Sequence, residues 1–373
     1  MTIYLVAGEA SGDEHGAALM RALRTLAPDL VFAGRGGPKM KAIVGDAFIN
    51  WSDTAAVVGL WEVVKRYGYF REQFQRALDE IAAIKPDAVV LIDYPGFNLR
   101  LARALRKKLP PLKIIYYISP QVWAWNRGRI GQMARYLDLM LCIFPFEAEL
   151  YNKSGLRTVF VGHPMIENLA LRTGDERNPN VIGLFPGSRV REVRKIFPIM
   201  LEAAREIAGE RPEIHFEVAA ASEPLASEMQ QMLAASPLRE RMRIVTGDAP
   251  GTMQRAFAAM IASGTATLEA AYSRLPFVLV YKVSWPTYFA ARLVLKTKHL
   301  GMPNVLAGRE IIPEFIQHEA RPDTIAKVVL ELTTNQAARD VMTSEFDAII
   351  AKLGETGASA QAAQVILDEL NQN

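Results

Sequence analysis

The stretch Ala88-Val89-Val90-Leu91-Ile92-Asp93-Tyr94-Pro95-Gly96-Phe97-Asn98 decides the fold. Its apolar residues run continuously rather than alternating, which describes a strand buried on both faces in a parallel sheet covered by helices. A single carboxylate, Asp93, ends the run, and a Pro-Gly turn opens a helical pattern. The same rhythm extends outward on both sides. Strands are expected over 3–7, 30–33, 88–92, 113–118, 139–143 and 158–161, with helices over 13–26, 69–84 and 98–109 between them. The stretch 163–179 interrupts the pattern, being polar and ending in Asp175-Glu176-Arg177-Asn178-Pro179. Strands resume over 181–185, 214–220, 242–245, 259–262 and 277–281, and the segments 323–332, 336–353 and 359–370 read as helices. The expectation is an α/β chain of two doubly wound, Rossmann-like domains facing each other across a cleft. Their bounds are 1–165 and 180–340, with a linker at 166–179 and C-terminal helices at 341–373.

Composition narrows the function. A chain of 373 residues exceeds what one core usually serves, and 50% hydrophobic with 22% charged residues describes an ordinary globular protein. A net charge of +3 is too weak to argue for nucleic acid, but it suits an anionic substrate or membrane surface. The one cysteine, Cys142, lies in an apolar run, so it forms no disulfide within the chain and reads as a buried thiol. The N-terminus enters a strand without the features of a secretory signal, and no window approaches the roughly 18 apolar residues of a membrane span. A cytoplasmic protein is expected, one that meets a membrane from the side.

Chemistry-bearing residues gather just after strands. Gly8-Glu9-Ala10-Ser11-Gly12-Asp13 follows the first strand: its glycines permit a tight turn and close ligand approach, or Ser11 or Asp13 simply caps the helix. Gly34-Arg35-Gly36-Gly37-Pro38 reads as a second glycine turn. Asp93, at a strand's carboxyl end, can serve as a general base, or cap a turn. Ser119-Pro120-Gln121-Val122-Trp123-Ala124-Trp125 supplies aromatics for a sugar to stack on, or for packing beneath the next helix. Pro186-Gly187-Ser188-Arg189 offers helix-entrance N–H groups and a guanidinium to a diphosphate. In Ser263-Gly264-Thr265-Ala266-Thr267-Leu268-Glu269, a helix start can meet phosphate while Glu269, one and a half turns in, accepts ribose hydroxyls. His15 and His163 are isolated, and no D-x-D dyad follows a strand, so no metal is expected. The segment 57–71 is apolar on opposite sides and carries Lys65, Arg66 and Arg71 beside Trp61, Val64 and Phe70. It resembles a surface that dips into anionic lipid or binds acyl chains, or it packs into an ordinary core.

Together these motifs, with Phe144-Pro145-Phe146-Glu147, Gly162-His163-Pro164 and Pro303-Asn304-Val305-Leu306-Ala307-Gly308-Arg309, resemble the lipid-A-disaccharide synthase family, inverting glycosyltransferases of the GT-B fold. The matches run in order over nearly the whole chain. The resemblance implies transfer of 2,3-diacylglucosamine from its UDP derivative to the 6-hydroxyl of 2,3-diacylglucosamine 1-phosphate (lipid X). Products are a β(1→6) disaccharide 1-phosphate and UDP, made without metal or cofactor on the cytoplasmic face of a Gram-negative-type inner membrane. It also implies catalytic roles for Asp93 and Asn304, and nucleotide-sugar binding by Ser188, Arg189, Ser263, Gly264, Thr265 and Glu269. Gly8, Glu9 and Ser11 fall on its cleft loop, and Trp61, Val64, Lys65, Arg66, Phe70 and Arg71 on its acceptor or membrane side. The resemblance also implies that the C-terminal helices at 341–373 pack back on an N-terminal domain, their own or a swapped one; nucleic acid is not an expected partner, and a homodimer is left open. The rival readings are a UDP-sugar epimerase of the same architecture and a non-catalytic binding module.

Overall fold

The computed structural model describes residues 1–46, 48–51, 67–125, 127–170, 177–234, 236–285, 288, 297–354 and 356–371. The chain forms two units, one of Met1–Glu167 with the residues from Leu353 on, the other of Asn168–Lys352. The first holds a seven-stranded sheet, ordered β3-β2-β1-β4-β5-β6-β7. Its strands are β1 (Thr2–Ala7), β2 (Val31–Gly36), β3 (Phe48–Asn50), β4 (Ala88–Ile92), β5 (Lys113–Tyr117), β6 (Leu139–Cys142) and β7 (Thr158–Phe160). The second holds a six-stranded sheet, ordered β10-β9-β8-β11-β12-β13. It comprises β8 (Asn178–Phe185), β9 (His215–Ala220), β10 (Met242–Thr246), β11 (Ala256–Ala262), β12 (Phe277–Tyr281) and β13 (Glu314–Ile316). All pairings are parallel.

The continuous apolar strands are buried on both faces, as their composition requires. Ile3, Leu5 and Ala7 of β1 enter one core layer and Tyr4 and Val6 the other. In each unit the first strand is central: the chain winds outward on one side, then crosses to the other. That reversal opens a crevice at the carboxyl ends of β1 and β4, and again at those of β8 and β11, where ligands of open α/β sheets collect.

Several expectations change on folding. Gly34, Arg35 and Gly36 are strand rather than turn. Gly34 is required because a Cβ there would lie 2.0 Å from the Leu5 carbonyl oxygen. Arg35 is fully buried beneath the helix Tyr67–Ile84, bound to Glu80 (2.6 Å) and to Gln73 (2.9 Å). It fastens the inner part of that helix to the sheet. Helix Gln336–Ile350 stays with the second unit because Met342, Phe346 and Ile349 join its core, Phe346 stacking on Phe277 at 5.7 Å. The chain therefore returns to the first unit at Leu353, not 341. The returning helix, Ala358–Asn371, packs on the helix Ala10–Leu26, and its buried Glu369 binds Lys113 (3.0 Å) and Arg157.

Candidate functional site

In the first unit the crevice is built around Asp93. Asp93 and Tyr94 both adopt left-handed backbone, with φ of 46° and 49°, a conformation non-glycine residues hold only when their surroundings enforce it. The enforcement is visible. The Asp93 N–H donates to the Tyr117 carbonyl (2.9 Å), and the Asp93 carbonyl accepts from Asn98 Nδ2 (2.8 Å) and from the Tyr116 hydroxyl. Asn98 is fully buried and also donates to the Ile92 carbonyl at 3.1 Å. These bonds fix the main chain while leaving the carboxylate uncommitted to them. Burial, reinforced by the negative charge of Glu9, pushes the Asp93 carboxyl up to about 6 against a slight pull from the Tyr94 N–H.

Gly8 is buried under the Tyr94 ring: a Cβ would lie 2.3 Å from it, so only glycine lets the β1 and β4 loops pack together. Glu9 precedes the helix as its N-cap, and Glu9 and Ser11 are exposed at the same loop. Asp13 does not cap its own helix. It is buried, and it accepts from the N–H groups of Gly37, Lys39 and Met40, each at 2.9 Å, capping the helix Pro38–Val44 instead.

The aromatic loop after β5 resolves toward packing. Trp123 is buried, donates Nε1 to Glu147 at 2.8 Å, and lies edge-on to Phe146 at 4.9 Å. Glu147 itself has no exposed surface, and burial pushes it up to about 7. His163 is a buried structural imidazole: Nδ1 accepts from the Met165 N–H (3.2 Å), and burial lowers it to about 4. The Cys142 thiol, also buried, is raised far above its usual range. Phe70 and Arg71 lie on the helix Tyr67–Ile84; Trp61, Val64, Lys65 and Arg66 lie outside the described residues.

In the second unit the crevice is made of two exposed loops. Gly187 takes φ 112° after β8, and Arg189 is the N-cap of the helix Val190–Glu210. Glu192, one turn in, occupies this loop: its carboxylate accepts from the Ser188 N–H (3.3 Å) and pairs with Arg189 (3.1 Å). After β11, Ser263 is half-buried, Gly264 (φ 158°) and Thr265 are exposed, and the half-buried Glu269 lies within the helix Ala266–Tyr272.

Asn304, expected among the catalytic residues, is fully buried with its amide engaged throughout. Nδ2 donates to the Ile312 carbonyl (2.9 Å) and Glu314 (2.8 Å), while Oδ1 accepts from the N–H groups of Ile311 (2.7 Å) and Ile312 (3.0 Å). All four hydrogen-bonding positions of the Asn304 amide are thus taken up within the fold. Glu314 completes the same knot by accepting from the N–H groups of Leu300 (2.9 Å) and Gly301 (2.9 Å). Sequence reasoning gave no role to Glu314, Glu147 or Asn98; the only signal was a lone polar residue within an apolar neighbourhood. Among the described residues no three His, Cys, Asp or Glu side chains gather as metal ligands, and no helix is long and apolar enough to cross a membrane.

Comparison with known proteins identifies the family and the fold. The family model described as lipid-A-disaccharide synthetase matches residues 3–366. The lipid-A-disaccharide synthase of Myxococcus xanthus (strain DK1622) is 38% identical over 377 residues, covering 99% of this chain and 97% of that protein. That of Geobacter sulfurreducens is 37% identical, with the same coverage of 99% and 97%. Solved structures share the fold at low identity. A Staphylococcus aureus MnaA–UDP co-structure gives a TM-score of 0.67 at 13% identity, covering 100% of this chain and 97% of that one. The Neisseria meningitidis UDP-GlcNAc 2-epimerase bound to UDP-GlcNAc gives 0.61 at 11%, covering 100% of both chains. At such identities the epimerase likeness speaks for architecture alone, whereas the family match spans nearly the whole sequence. The chain belongs to the lipid-A-disaccharide synthetase family of glycosyltransferases.

Proposed function

We propose that the chain transfers 2,3-diacylglucosamine from its UDP derivative to the 6-hydroxyl of 2,3-diacylglucosamine 1-phosphate, with inversion. A β(1→6) disaccharide 1-phosphate forms and UDP departs. In this reading Asp93 takes the proton of the attacking hydroxyl. As the hydroxyl oxygen bonds to the anomeric carbon, the bond to the diphosphate oxygen breaks. Arg189 and the N–H groups of the Ser188 loop stabilise the charge that gathers on UDP. Ser263, Gly264, Thr265 and Glu269 hold the rest of the nucleotide. Inversion needs only this one displacement, so no residue is asked to form a covalent intermediate.

The observation that carries the reading is the Asp93 turn. A carboxylate on an enforced, strained backbone at a strand's carboxyl end, raised to about 6, is poised to act as a base near neutral pH. The test mixes UDP-diacylglucosamine with lipid X in detergent, with and without a chelator, and looks for the disaccharide 1-phosphate. Product in both tubes is expected. UDP release from donor alone, at the rate seen with acceptor, would point to the epimerase-type chemistry and sink the transfer. We further propose contact with the anionic inner-membrane surface, supported by the apolar and basic sequence of 57–71.

A further inference from the structure

Beside the Asp93 turn lies a cavity of about 870 Å³. That is within the range of small-molecule sites, about 300–1,000 Å³. Its wall is aromatic: Phe70, Phe74, Phe97 and Tyr94 line it, with Phe74 edge-on to Phe97 at 5.7 Å and Tyr94 tilted against Phe97 at 6.2 Å. Two guanidiniums, those of Arg71 and Arg100, line the same space; both residues are exposed, and among the described residues neither has an ion-pair partner. Glu72, the acid among the described lining residues, is already held by Arg76 at 2.5 Å. Among the described lining residues the excess charge is therefore positive. Gly96 belongs to the lining too, and a Cβ there would meet nothing within 4 Å.

An apolar wall joined by two guanidiniums without ion-pair partners among the described residues matches an amphiphile with an anionic head. Arginine favours a phosphate over other anions because its planar fork meets phosphate oxygens in pairs. Tyr94, Gly96 and Phe97 follow Asp93 closely in the chain, so the cavity is walled by the turn that carries the candidate base. Glu80 fixes the far end of the helix Tyr67–Ile84 through Arg35, which holds Phe70 and Phe74 in register with Phe97.

We propose that this cavity is the acceptor subsite, in which Arg71 and Arg100 grip the acceptor's phosphate and the Phe70, Phe74 and Phe97 wall takes one of its acyl chains. The proposal rests on the transfer reaction above. Its test compares 2,3-diacylglucosamine 1-phosphate with the same lipid lacking phosphate, at saturating donor, for the wild type and for the Arg71→Ala, Arg100→Ala double variant. The wild type favours the phosphorylated acceptor. In the double variant the ratio of kcat/KM between the two acceptors collapses toward one, the loss on the phosphorylated lipid reaching about 100-fold and residing in KM. A second variant, Gly96→Leu, fills the cavity: it raises KM for the long-chain acceptor, and a short-chain acceptor recovers most of the loss.

The outcomes separate cleanly. A wild type that makes no disaccharide sinks the reaction itself. A working wild type whose double variant keeps its preference for phosphate sinks the subsite alone. Phosphatidylglycerol vesicles supply the remaining arm. If the double variant loses sedimentation with them yet still discriminates the acceptors, the arginines serve bilayer phosphate and the subsite is overturned.

Discussion

The two switch points share a topology and differ in chemistry. At β1 and β4 the edge is packed: Gly8 lies under Tyr94, Asn98 is buried, and the Asp93 carboxyl is raised by desolvation. At β8 and β11 the edge is open, made of glycine turns with exposed Arg189, Gly264 and Thr265. Burial raises a carboxyl toward neutrality and makes it a useful base, whereas exposure keeps the Ser188 N–H and the Arg189 guanidinium, here engaged by Glu192, within reach of a charged ligand. On the proposed function, one winding pattern supplies a proton acceptor in one unit and an anion receptor in the other, according to what packs over the strand ends.

The comparison breaks most readily at Asp93. Asp93→Asn is expected to lower turnover by about 10²–10⁴-fold, the range of general-base loss, with UDP affinity unchanged. Turnover near wild type would remove the base from the packed edge. At the open edge, Arg189→Ala should weaken UDP binding and kcat/KM together by about 10–100-fold, measured by calorimetry and initial rates. An unchanged UDP affinity would leave that edge without its anion role. Glu192 sharpens the same point, since its carboxylate now occupies the Ser188 N–H and Arg189. Glu192→Gln should tighten UDP binding by about threefold to tenfold; weaker binding would make Glu192 a scaffold of the loop instead.

The pH dependence follows from the sign of the Asp93 shift. The base works when ionised, so log kcat/KM of the free enzyme should rise with unit slope up to about 6 and then level. Stability runs the other way. Because the folded state holds this proton more tightly, Asp93 lowers stability as pH rises from the ordinary carboxyl range through about 6. Asp93→Asn should therefore gain stability relative to wild type at pH 8 compared with pH 4, by up to about 3 kcal/mol. A variant equally destabilised at both values contradicts the buried-carboxylate account. The smallest expected effect on chemistry is at Asn304: Asn304→Ala should cost about 2–4 kcal/mol by denaturant unfolding, through orphaned N–H groups at Ile311 and Ile312.

Legibility followed the length and continuity of the signal. The strand Ala88–Ile92 was readable to the residue because five apolar positions are bounded by a charge and a turn. The edge strands Phe48–Asn50 and Glu314–Ile316 were not read, since three residues carry no period. Asp93 and Arg189 could be picked out because each is a charge placed just past a strand. Asn304 could be found too, but not its hydrogen bonds to Ile311, Ile312 and Glu314: the sequence marks a special polar residue without naming its partners.

Sequence alone determined the α/β class, the two-sheet plan and the post-strand positions of the site, because binary patterning and turn residues act over a few neighbours. It also carried the family, through motifs running the length of the chain. Only the tertiary structure decided which polar groups are spent inside the fold, as with Asp13, Asn304 and Glu147, and which remain for chemistry. It alone assigned the helix Gln336–Ile350 to the second unit and opened a cavity beside Asp93. Those outcomes depend on burial and on partners distant in the chain, and desolvation is a property of the packed molecule that local sequence does not encode.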